Sequence, residues 1–523
     1  MSAAPPLHHS ANRRAGRLIE RIGRRSLFAS IGVGVLGAMA TGSLVVAVAP
    51  ALALVAVQLL RFQPVSRLFL VMVAATLLLD HPAEQPYLGQ WRSPLHAIGE
   101  LWFNPLSHTA AGVPLPLAPA LLVTVWLAWR AMTERQSRLG PTGRLYLRVS
   151  ALAATTLLAA QVYGVARGGD LRQTFYQVSP MLLTIAVGVA ACLLGNRQLL
   201  LKLERIVLVV AAVRALVCLY LYITVFRPSG ESFLYVTTHS DSVLWVVALA
   251  VLTGKLIATF RLEPQRGRVA LALLYLGAIT ANNRRLAWVE LGVVVAYAVW
   301  ATPPRLHRLR ARVAAVAVPV LLVYTVIGLS APPSRLFMPV QALNSVNDET
   351  DSSTMSREIE NHNLFVTIQQ GGLLGVGFGH EYTEQIVGPD ISTAFPQYRY
   401  LPHNSLLGLI AFAGPVGFIG FWMPFVVAMG AAARLRSHPS RRLRAAGVWF
   451  AGAIIAYTLM AWGDIGLQSS LNTVLGAVGA GLAVRMVGDA PLTSRHRTRE
   501  TSPAERSASM AEALSGRIPV GAR

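Results

Sequence analysis

Long apolar stretches separated by short basic or polar segments dominate the pattern of this chain. Crossing a hydrocarbon core takes about 20 mostly apolar residues in a helix. The pattern predicts an all-α polytopic membrane protein with about 12–14 transmembrane helices, because 27–60 is either one long helix or two short ones divided near Gly42. The candidate spans are 27–41, 43–60, 67–80, 115–130, 145–165, 178–196, 200–224, 239–260, 268–282, 286–302, 313–330, 404–433, 445–466 and 468–487.

The N-terminal segment has features of a signal peptide. A basic stretch from Arg13 to Arg25 precedes an apolar run with Ala-x-Ala triplets. The apolar run continues well past the length of a signal sequence, and further spans follow it. We therefore interpret residues 1–26 as a basic cytoplasmic segment before a retained first helix, with a signal peptide as the alternative.

Composition and charge exclude an ordinary cytosolic enzyme. Only 13% of the residues are charged and 54% are hydrophobic, whereas soluble domains have about 25% charged residues. The 46 Lys and Arg outnumber the 24 Asp and Glu, and the excess lies between apolar runs. Such charge sets topology rather than binding nucleic acid. With both termini inside, cytoplasmic segments hold 36 basic residues and outer segments hold 9, which predicts a multi-pass protein of the cytoplasmic (inner) membrane.

The outer connection at 331–403 is the longest in the chain. A loop of that length is usually functional in a compact protein. Its acidic patch, 347–351, is more typical of a solvated segment than of a divalent-cation site, and the other long outer loop, 81–114, is typical of an interfacial segment. The resulting domains are 1–26 (cytoplasmic), 27–330 (N-terminal transmembrane helices), 331–403 (outer loop), 404–487 (C-terminal transmembrane helices) and 488–523 (disordered cytoplasmic tail).

Two adjacent arginines, Arg284 and Arg285, lie on the predicted outer side of a tight helical hairpin, against the topological rule. Guanidinium groups bind phosphate oxygens with several donors at once. The pair therefore indicates a diphosphate site at headgroup level. The alternative is interfacial snorkelling or an ion pair with Glu290.

The large outer loop carries a second group of candidates. Arg357, within a Ser-Arg pair, is followed by the glycine run Gly375-Val-Gly-Phe-Gly379 and then by His380. No predicted strand precedes the glycines, so a nucleotide-binding motif is not indicated. They are typical of a backbone that turns closely beside a substrate, or of a merely flexible loop.

A third group, Pro402-His403-Asn404-Ser405, stands at the head of the span 404–433. His403 can titrate near neutral pH and act as a general base toward a sugar hydroxyl. Asn404 and Ser405 suit a helix cap or hydroxyl binding. A histidine alone would more often be structural, but arginines converging on the same side favour catalysis.

Other polar residues within the spans carry weaker signals. Arg214 suits an ion pair, with Glu290 as a candidate partner, or a contact with lipid phosphate. Asp241 and Asp464 are equally typical of helix caps and of substrate ligands. The two cysteines, Cys192 and Cys218, lie in apolar runs and have neither a disulfide framework nor metal-ligand spacing.

The order of these motifs resembles the O-antigen ligase and polymerase superfamily of lipid-linked glycan transferases. The resemblance rests on Arg-x-Ala-Trp from Arg285, Ser-Arg before Gly-Val-Gly-Phe-Gly, and His-Asn-Ser-x-Leu from His403 before Gly-x-x-Gly from Gly414. It covers roughly residues 280 to 425.

The resemblance implies a helical (GT-C-like) glycosyltransferase with a lateral opening to the bilayer, which performs metal-independent, inverting transfer without a cofactor. Arg285, Arg357 and His403 take the positions of the family's helix-end arginine, loop arginine and essential histidine. Arg284-Arg285 stands where the family usually has Ser-Arg, so either arginine can face the diphosphate. Further candidate substrate-binding residues are Asn404, His380, Glu290 and Arg214.

The predicted function is an O-antigen or exopolysaccharide polymerase that joins repeat units carried on undecaprenyl diphosphate outside the membrane. A ligase that moves finished glycan to a lipid or protein acceptor is the close alternative, and a lipid-linked oligosaccharide flippase is the alternative of another class. Expected partners are the bilayer, the lipid-linked glycan, and a chain-length regulator and flippase of the same pathway. We expect Arg285, Arg357 and His403 to share one outward-facing cavity.

Overall fold

The computed structural model describes most of the chain between residues 63 and 488. The basic segment 1–26, the two predicted spans within 27–60, the acidic patch 347–351 and the tail beyond 488 lie outside the described residues. The described residues are 63–79, 94–104, 117–135, 139–229, 235–259, 265–302, 307–332, 337, 339–341, 352–388, 390–391, 395 and 397–488.

Helices make up the described part of the chain, which contains no β-strand. Every predicted span from residue 67 onward coincides with one of them. The helices are α1 (Val65–Leu78), α2 (Pro94–Phe103), α3 (Pro119–Arg135), α4 (Pro141–Ala166), α5 (Leu171–Leu194), α6 (Arg197–Leu221, continued by a π-turn at Tyr222–Phe226), α7 (His239–Thr259), α8 (Arg266–Asn282), α9 (Arg285–Ala301), α10 (His307–Ser330), α11 (Ser352–Gly371), α12 (Ser405–Leu435), α13 (Arg441–Gly463) and α14 (Ser470–Gly488).

Eight of the described helices are long and apolar enough to cross a membrane. Large apolar side chains remain exposed along α6 and α10, such as Leu216 and Val320. A soluble protein rarely exposes apolar surface on that scale, whereas a bilayer covers it. The prediction of an all-α polytopic membrane protein is confirmed.

Helix α14 lies at the centre of the bundle and packs on α5, α12 and α13. Its small residues permit this close packing: a Cβ added to Gly481 would lie 2.2 Å from the carbonyl oxygen of Gly188 on α5. A Cβ on Gly476 would lie 2.7 Å from the Tyr457 side chain of α13. Small residues at helix interfaces are the usual way for membrane helices to approach each other.

The two ends of the bundle differ in charge. One end, which we call the site end, joins α4 to α5, α8 to α9 and α13 to α14, and it contains the starts of α7 and α12. The opposite end is rich in basic residues, where Lys255 pairs with Glu204 at 2.8 Å and Arg485 donates to the carbonyl of Gly195 at 3.1 Å.

The two predicted outer loops contain helices that the sequence analysis did not predict. Helix α2 lies in the first, where Nε1 of Trp102 donates to Oγ1 of Thr76 on α1 at 3.2 Å. Helix α11 lies in the second and packs against α12. Helix α2 has only 10 residues and α11 is mostly polar. Neither therefore shows the long apolar run by which spans are identified.

A kink in α12 receives the glycine run. Pro415 has no N–H for the carbonyl of Ala411, and the backbone of Gly414 leaves the helical region at φ 64°. The freed carbonyls of Ala411 and Phe412 accept hydrogen bonds from the backbone N–H groups of Val376 and Gly377, both at 2.9 Å. The glycine run is therefore docked on α12 through its backbone.

Candidate functional site

Helix α11 presents two charged side chains toward the head of α12. Arg357 and Glu360 are three residues apart, which puts them on one face of the helix. Buried Asn363 fixes α11 against the segment that follows: its side chain donates to the carbonyl of Ile386 at 2.8 Å and accepts from the N–H of Gln385 at 2.9 Å. These hydrogen bonds fix the position of α11 and therefore of Arg357 and Glu360.

Glu360 binds His403 directly. Its Oε2 lies 2.9 Å from Nδ1 of His403, and its Oε1 accepts from the backbone N–H of Asn404 at 3.4 Å. An ionised carboxylate can only accept, so Nδ1 carries the hydrogen and Nε2 is the basic nitrogen. The His403 side chain is 34% exposed, so the ring is accessible to a substrate.

The pKa of His403 reflects opposing influences. Burial lowers it, but the hydrogen bond and charge of Glu360, together with the charge of Asp464, outweigh that effect and raise the pKa above its usual value. A base with a raised pKa takes a proton more readily.

Asp464 lies in the turn between α13 and α14 and faces both histidines. Its Oδ2 is 2.9 Å from Nε2 of His239, and its backbone carbonyl accepts from Oγ of Ser405 at 3.0 Å. Burial would raise its pKa, but His239 through its charge and hydrogen bond, followed by His403 and Arg357, lowers the pKa below its usual value. Asp464 is therefore ionised at neutral pH.

Arg284 approaches the same histidine from the α8–α9 connection. Its Nη1 is 2.7 Å from Nε2 of His239, and its Nη2 donates to the carbonyl of Thr237 at 2.9 Å. The guanidinium also lies over the ring of Tyr235, 3.3 Å from the ring centroid. These contacts hold the guanidinium of Arg284, a residue that is only 8% exposed, in a fixed orientation.

Asn282 positions this corner of the site. Its buried side chain accepts from the N–H groups of Val236 and Thr237, at 3.1 and 2.6 Å, and donates to Thr238 and Ser242. All of its hydrogen-bonding groups are used, which ties the end of α8 to the start of α7.

Arg357 completes the arrangement. It is close enough to act electrostatically on His239, His403 and Asp464. Within the described part of the chain, its guanidinium makes no hydrogen bond or ion pair. We call His239, Arg284, Arg357, Glu360, His403 and Asp464 the site cluster. It combines two guanidinium groups, which suit an anion with several oxygens, with an imidazole oriented as a base.

A family model described as O-antigen ligase matches residues 270–422, from within α8 into α12. The matched segment contains Arg284, Arg357, Glu360 and His403 of the site cluster. This match supports the resemblance of the chain to the O-antigen ligase and polymerase superfamily. The resemblance found in the sequence is confirmed, and with it an O-antigen ligase or polymerase type of function in a glycosyltransferase-like membrane enzyme. No curated protein and no solved structure matches the chain.

Of the three residues expected to share one cavity, Arg357 and His403 lie close enough to interact electrostatically. The contact with His239 runs through Arg284. The reason is the left-handed turn at Asn283 (φ 50°), after which Arg284 is the extended N-cap residue and Arg285 already lies in the first turn of α9.

The ion pairs considered as alternatives for Glu290 are absent among the described residues. Arg214 pairs with Asp241 instead and donates to the carbonyl of Leu78 at 2.9 Å. Glu290 is 1% exposed within α9, and in the described part of the chain neither of its carboxyl oxygens has a hydrogen-bond partner. Arg214 and Asp241 thus form a structural pair between α6 and α7.

Two other candidates have structural contacts in this protein. Asn404 caps α12 by accepting from the N–H of Leu407 at 3.2 Å. His380 contacts the carbonyl of Gly164 at 3.2 Å, at the end of α4. Ser405, which was expected to cap the helix or bind hydroxyls, donates to the α13–α14 turn.

The glycine run also has a packing role. Gly375 and Gly377 have φ of 70° and 96°, where side chains are disfavoured. A Cβ on Gly377 would lie 2.4 Å from Cα of Gly164. The glycines thus allow contact with protein backbone on α4 and α12.

His239 and Glu360 were missed by the sequence analysis. His239 belongs to the polar run Thr237-Thr-His-Ser-Asp241 at the start of an apolar span, and this run is a usable signal of a site at the membrane surface. Glu360 gives a signal only once α11 is known to be a helix, because its relation to Arg357 depends on helical spacing.

Proposed function

We propose that this protein is a glycan polymerase that transfers repeat units from undecaprenyl diphosphate to a growing chain. The single observation that supports it best is the site cluster, in which an oriented imidazole and two guanidinium groups surround one site in a chain that resembles the O-antigen ligase and polymerase superfamily.

The chemistry requires a base and a stabiliser of the leaving group. The acceptor hydroxyl loses its proton to Nε2 of His403 while its oxygen bonds to the anomeric carbon of the donor sugar. The bond from that carbon to the diphosphate oxygen breaks, and the electron pair leaves with undecaprenyl diphosphate. Arg357 and Arg284 stabilise the developing negative charge in a site with little water. Attack opposite the leaving group inverts the anomeric centre.

Glu360 and Asp464 support this chemistry without touching the substrate. Glu360 fixes the tautomer of His403 and stabilises its protonated form. Asp464 adds to that stabilisation through its charge. Arg285, next to Arg284 in sequence, remains a candidate second donor to the diphosphate at the head of α9.

The site faces the outside of the cytoplasmic membrane in this proposal, with both termini in the cytoplasm. The support is the basic end of the bundle opposite the site end, where Lys255, Arg485 and the start of α13 lie. Basic residues collect on the cytoplasmic side of membrane proteins. The lipid-linked donor would come from a flippase of the same pathway, and a chain-length regulator would act on the product.

The test is glycan length in cells that carry His403→Ala, with protein level and membrane insertion unchanged. The polymerase predicts loss of long chains and accumulation of single lipid-linked repeat units. Accumulation of long lipid-linked chains that never reach an acceptor would replace it with the ligase. Unchanged glycan would contradict catalysis by His403 and favour a transporter.

A further inference from the structure

One atom of His239 faces two incompatible partners. Nε2 lies 2.7 Å from Nη1 of Arg284 and 2.9 Å from Oδ2 of Asp464. A guanidinium only donates hydrogen bonds and an ionised carboxylate only accepts them. Because a ring nitrogen carries either a hydrogen or a lone pair, it satisfies Arg284 or Asp464 but never both. One of the two contacts is therefore unfavourable in either state of the ring.

We infer that His239 takes up a proton when a lipid-linked diphosphate binds, and that this releases Nη1 of Arg284 from the histidine to the diphosphate. The inference rests on the proposed function and concerns how its donor is recognised. In the bound state, Nε2–H donates to Asp464 and Nη1 donates to a diphosphate oxygen. The proton comes from the buffer acid in bulk solvent: its bond to the buffer breaks as the N–H bond of the ring forms, and the conjugate base stays in solution.

Arg284 is built for such a limited change of partner. Its Nη2 donates to the carbonyl of Thr237 and its plane lies on the ring of Tyr235. Neither contact involves His239. The guanidinium can therefore exchange the histidine for a phosphate oxygen on the Nη1 side while the other contacts persist.

The charges of the site cluster favour uptake of a proton. Arg284 and Arg357 are balanced by Asp464 and Glu360, so the cluster is neutral when both imidazoles are neutral. A diphosphate diester adds negative charge to a largely buried cluster, where an uncompensated charge is costly. Protonation of one imidazole offsets part of that charge.

His239 suits this role better than His403. The Nδ1 of His403 is occupied by Glu360, and its Nε2 must stay unprotonated to accept the acceptor's proton. His239 already has a carboxylate, Asp464, within hydrogen-bond distance of Nε2. His239 thus controls the release of Arg284 to the diphosphate, and His403 acts as the base.

Within the described part of the chain, few other charges act on His239. The ring experiences Arg284, Asp464 and Arg357 directly. Among the helices that pack on α7, α6 brings Arg214, which is paired with Asp241 of α7 itself, and α9 brings Glu290, which faces Asp464. None of these other groups is changed in His239→Gln or His403→Gln.

The test is proton uptake during binding of a synthetic undecaprenyl diphosphate linked to one N-acetylhexosamine, a diester that does not itself titrate near neutral pH. Calorimetry of the detergent-solubilised full chain in buffers of different ionisation enthalpy counts the protons taken up. At pH values above the pKa of His239 in the free protein, we expect each bound lipid to bring about one proton into the protein. In that pH range the affinity for the lipid should weaken by up to about tenfold per pH unit.

Matched variants assign the proton. We expect His239→Gln to bind the probe more weakly without proton uptake, and His403→Gln to retain the uptake. Binding by the wild-type protein without proton uptake, or uptake that persists in His239→Gln, would overturn the inference and leave the proposed function standing. Absence of any binding by the wild-type protein would overturn the proposed donor class as well. Absence of proton uptake by the wild-type protein overturns the inference even if a variant fails to fold.

Discussion

The hydrogen bond between Glu360 and His403 determines which ring nitrogen can act as a base. Because Nδ1 faces the carboxylate at 2.9 Å, only Nε2 can accept the acceptor's proton. General base catalysis typically contributes about 10²–10⁴-fold in rate. We therefore expect His403→Gln to lower the transfer rate by about that factor, measured as sugar transfer by membranes that contain equal amounts of protein.

The stability of the variant protein is the control for this experiment. His403 donates to one carboxylate at the surface of the site, so His403→Gln should leave the melting temperature of the detergent-solubilised protein nearly unchanged. Full activity in a well-folded His403→Gln protein would exclude the histidine as the base.

Glu360 is expected to set the pH dependence of transfer. A base works unprotonated, so activity rises with pH as His403 loses its proton. Glu360 raises the pKa of His403, and Glu360→Gln should therefore move this rise to lower pH. The maximal rate should also fall, because the base becomes weaker and its ring less firmly oriented.

A neighbouring residue gives the matched control. Glu358 is exposed on the same helix, so Glu358→Gln changes the net charge equally and should leave the pH profile in place. An equal shift in both variants would indicate a general electrostatic effect, and no shift with Glu360→Gln would remove Glu360 from its positioning role.

At the scale of elements, the glycine run ties the long connection to the bundle. Gly377 has φ 96°, and its missing Cβ leaves room for Gly164 of α4. We expect Gly377→Ala to destabilise the protein by about 2–4 kcal/mol through backbone strain and steric clash, measured by thermal unfolding in detergent.

Gly388 provides the comparison. A Cβ there would meet only Cγ2 of Ile359, at an ordinary 3.6 Å. Gly388→Ala should therefore leave the unfolding temperature within a degree or two of the wild-type value. Similar stability of the two variants would contradict the docking of the glycine run on α4.

The sequence predicts the spans well because burial in a bilayer demands long apolar runs, which are visible without a structure. It predicts α11 poorly, because a polar helix beside the membrane has no such requirement. The two site residues on α11 also differ in how far the sequence identifies them. Arg357 was identified from its motif, whereas Glu360 acquires meaning only from its spacing on a helix and its contact with His403.

The choice between Arg284 and Arg285 shows a second reason why parts of the site cannot be predicted from the sequence. Adjacent residues in a tight turn point to different sides, and the side is decided by the left-handed backbone of Asn283 and the tie of Asn282 to the start of α7. The tie of Asn282 joins residues 45 positions apart in the chain, which no local pattern reveals. The candidate ion pair of Arg214 with Glu290 was wrong for the same reason, because Arg214 pairs with Asp241.

At the scale of the whole molecule, the opposite charge character of the two ends predicts the topology. The natural cysteines, Cys192 and Cys218, are fully buried and should not react with an impermeant maleimide. We expect Glu358→Cys, at the site end, to be labelled from outside intact cells or spheroplasts. Ser437→Cys, exposed at the opposite end, should be labelled only after the membrane is permeabilised. The reverse pattern would put the site in the cytoplasm.

Glycan transfer by the purified protein tests whether the site cluster forms a polymerase. The full chain is reconstituted in liposomes with a synthetic lipid-linked repeat unit as both donor and acceptor, and the lengths of the products are measured. The wild-type protein should form chains of increasing length with release of undecaprenyl diphosphate, and His403→Gln should leave single units. Wild-type protein that is folded and binds the lipid, yet joins no units, would contradict the assignment as a polymerase.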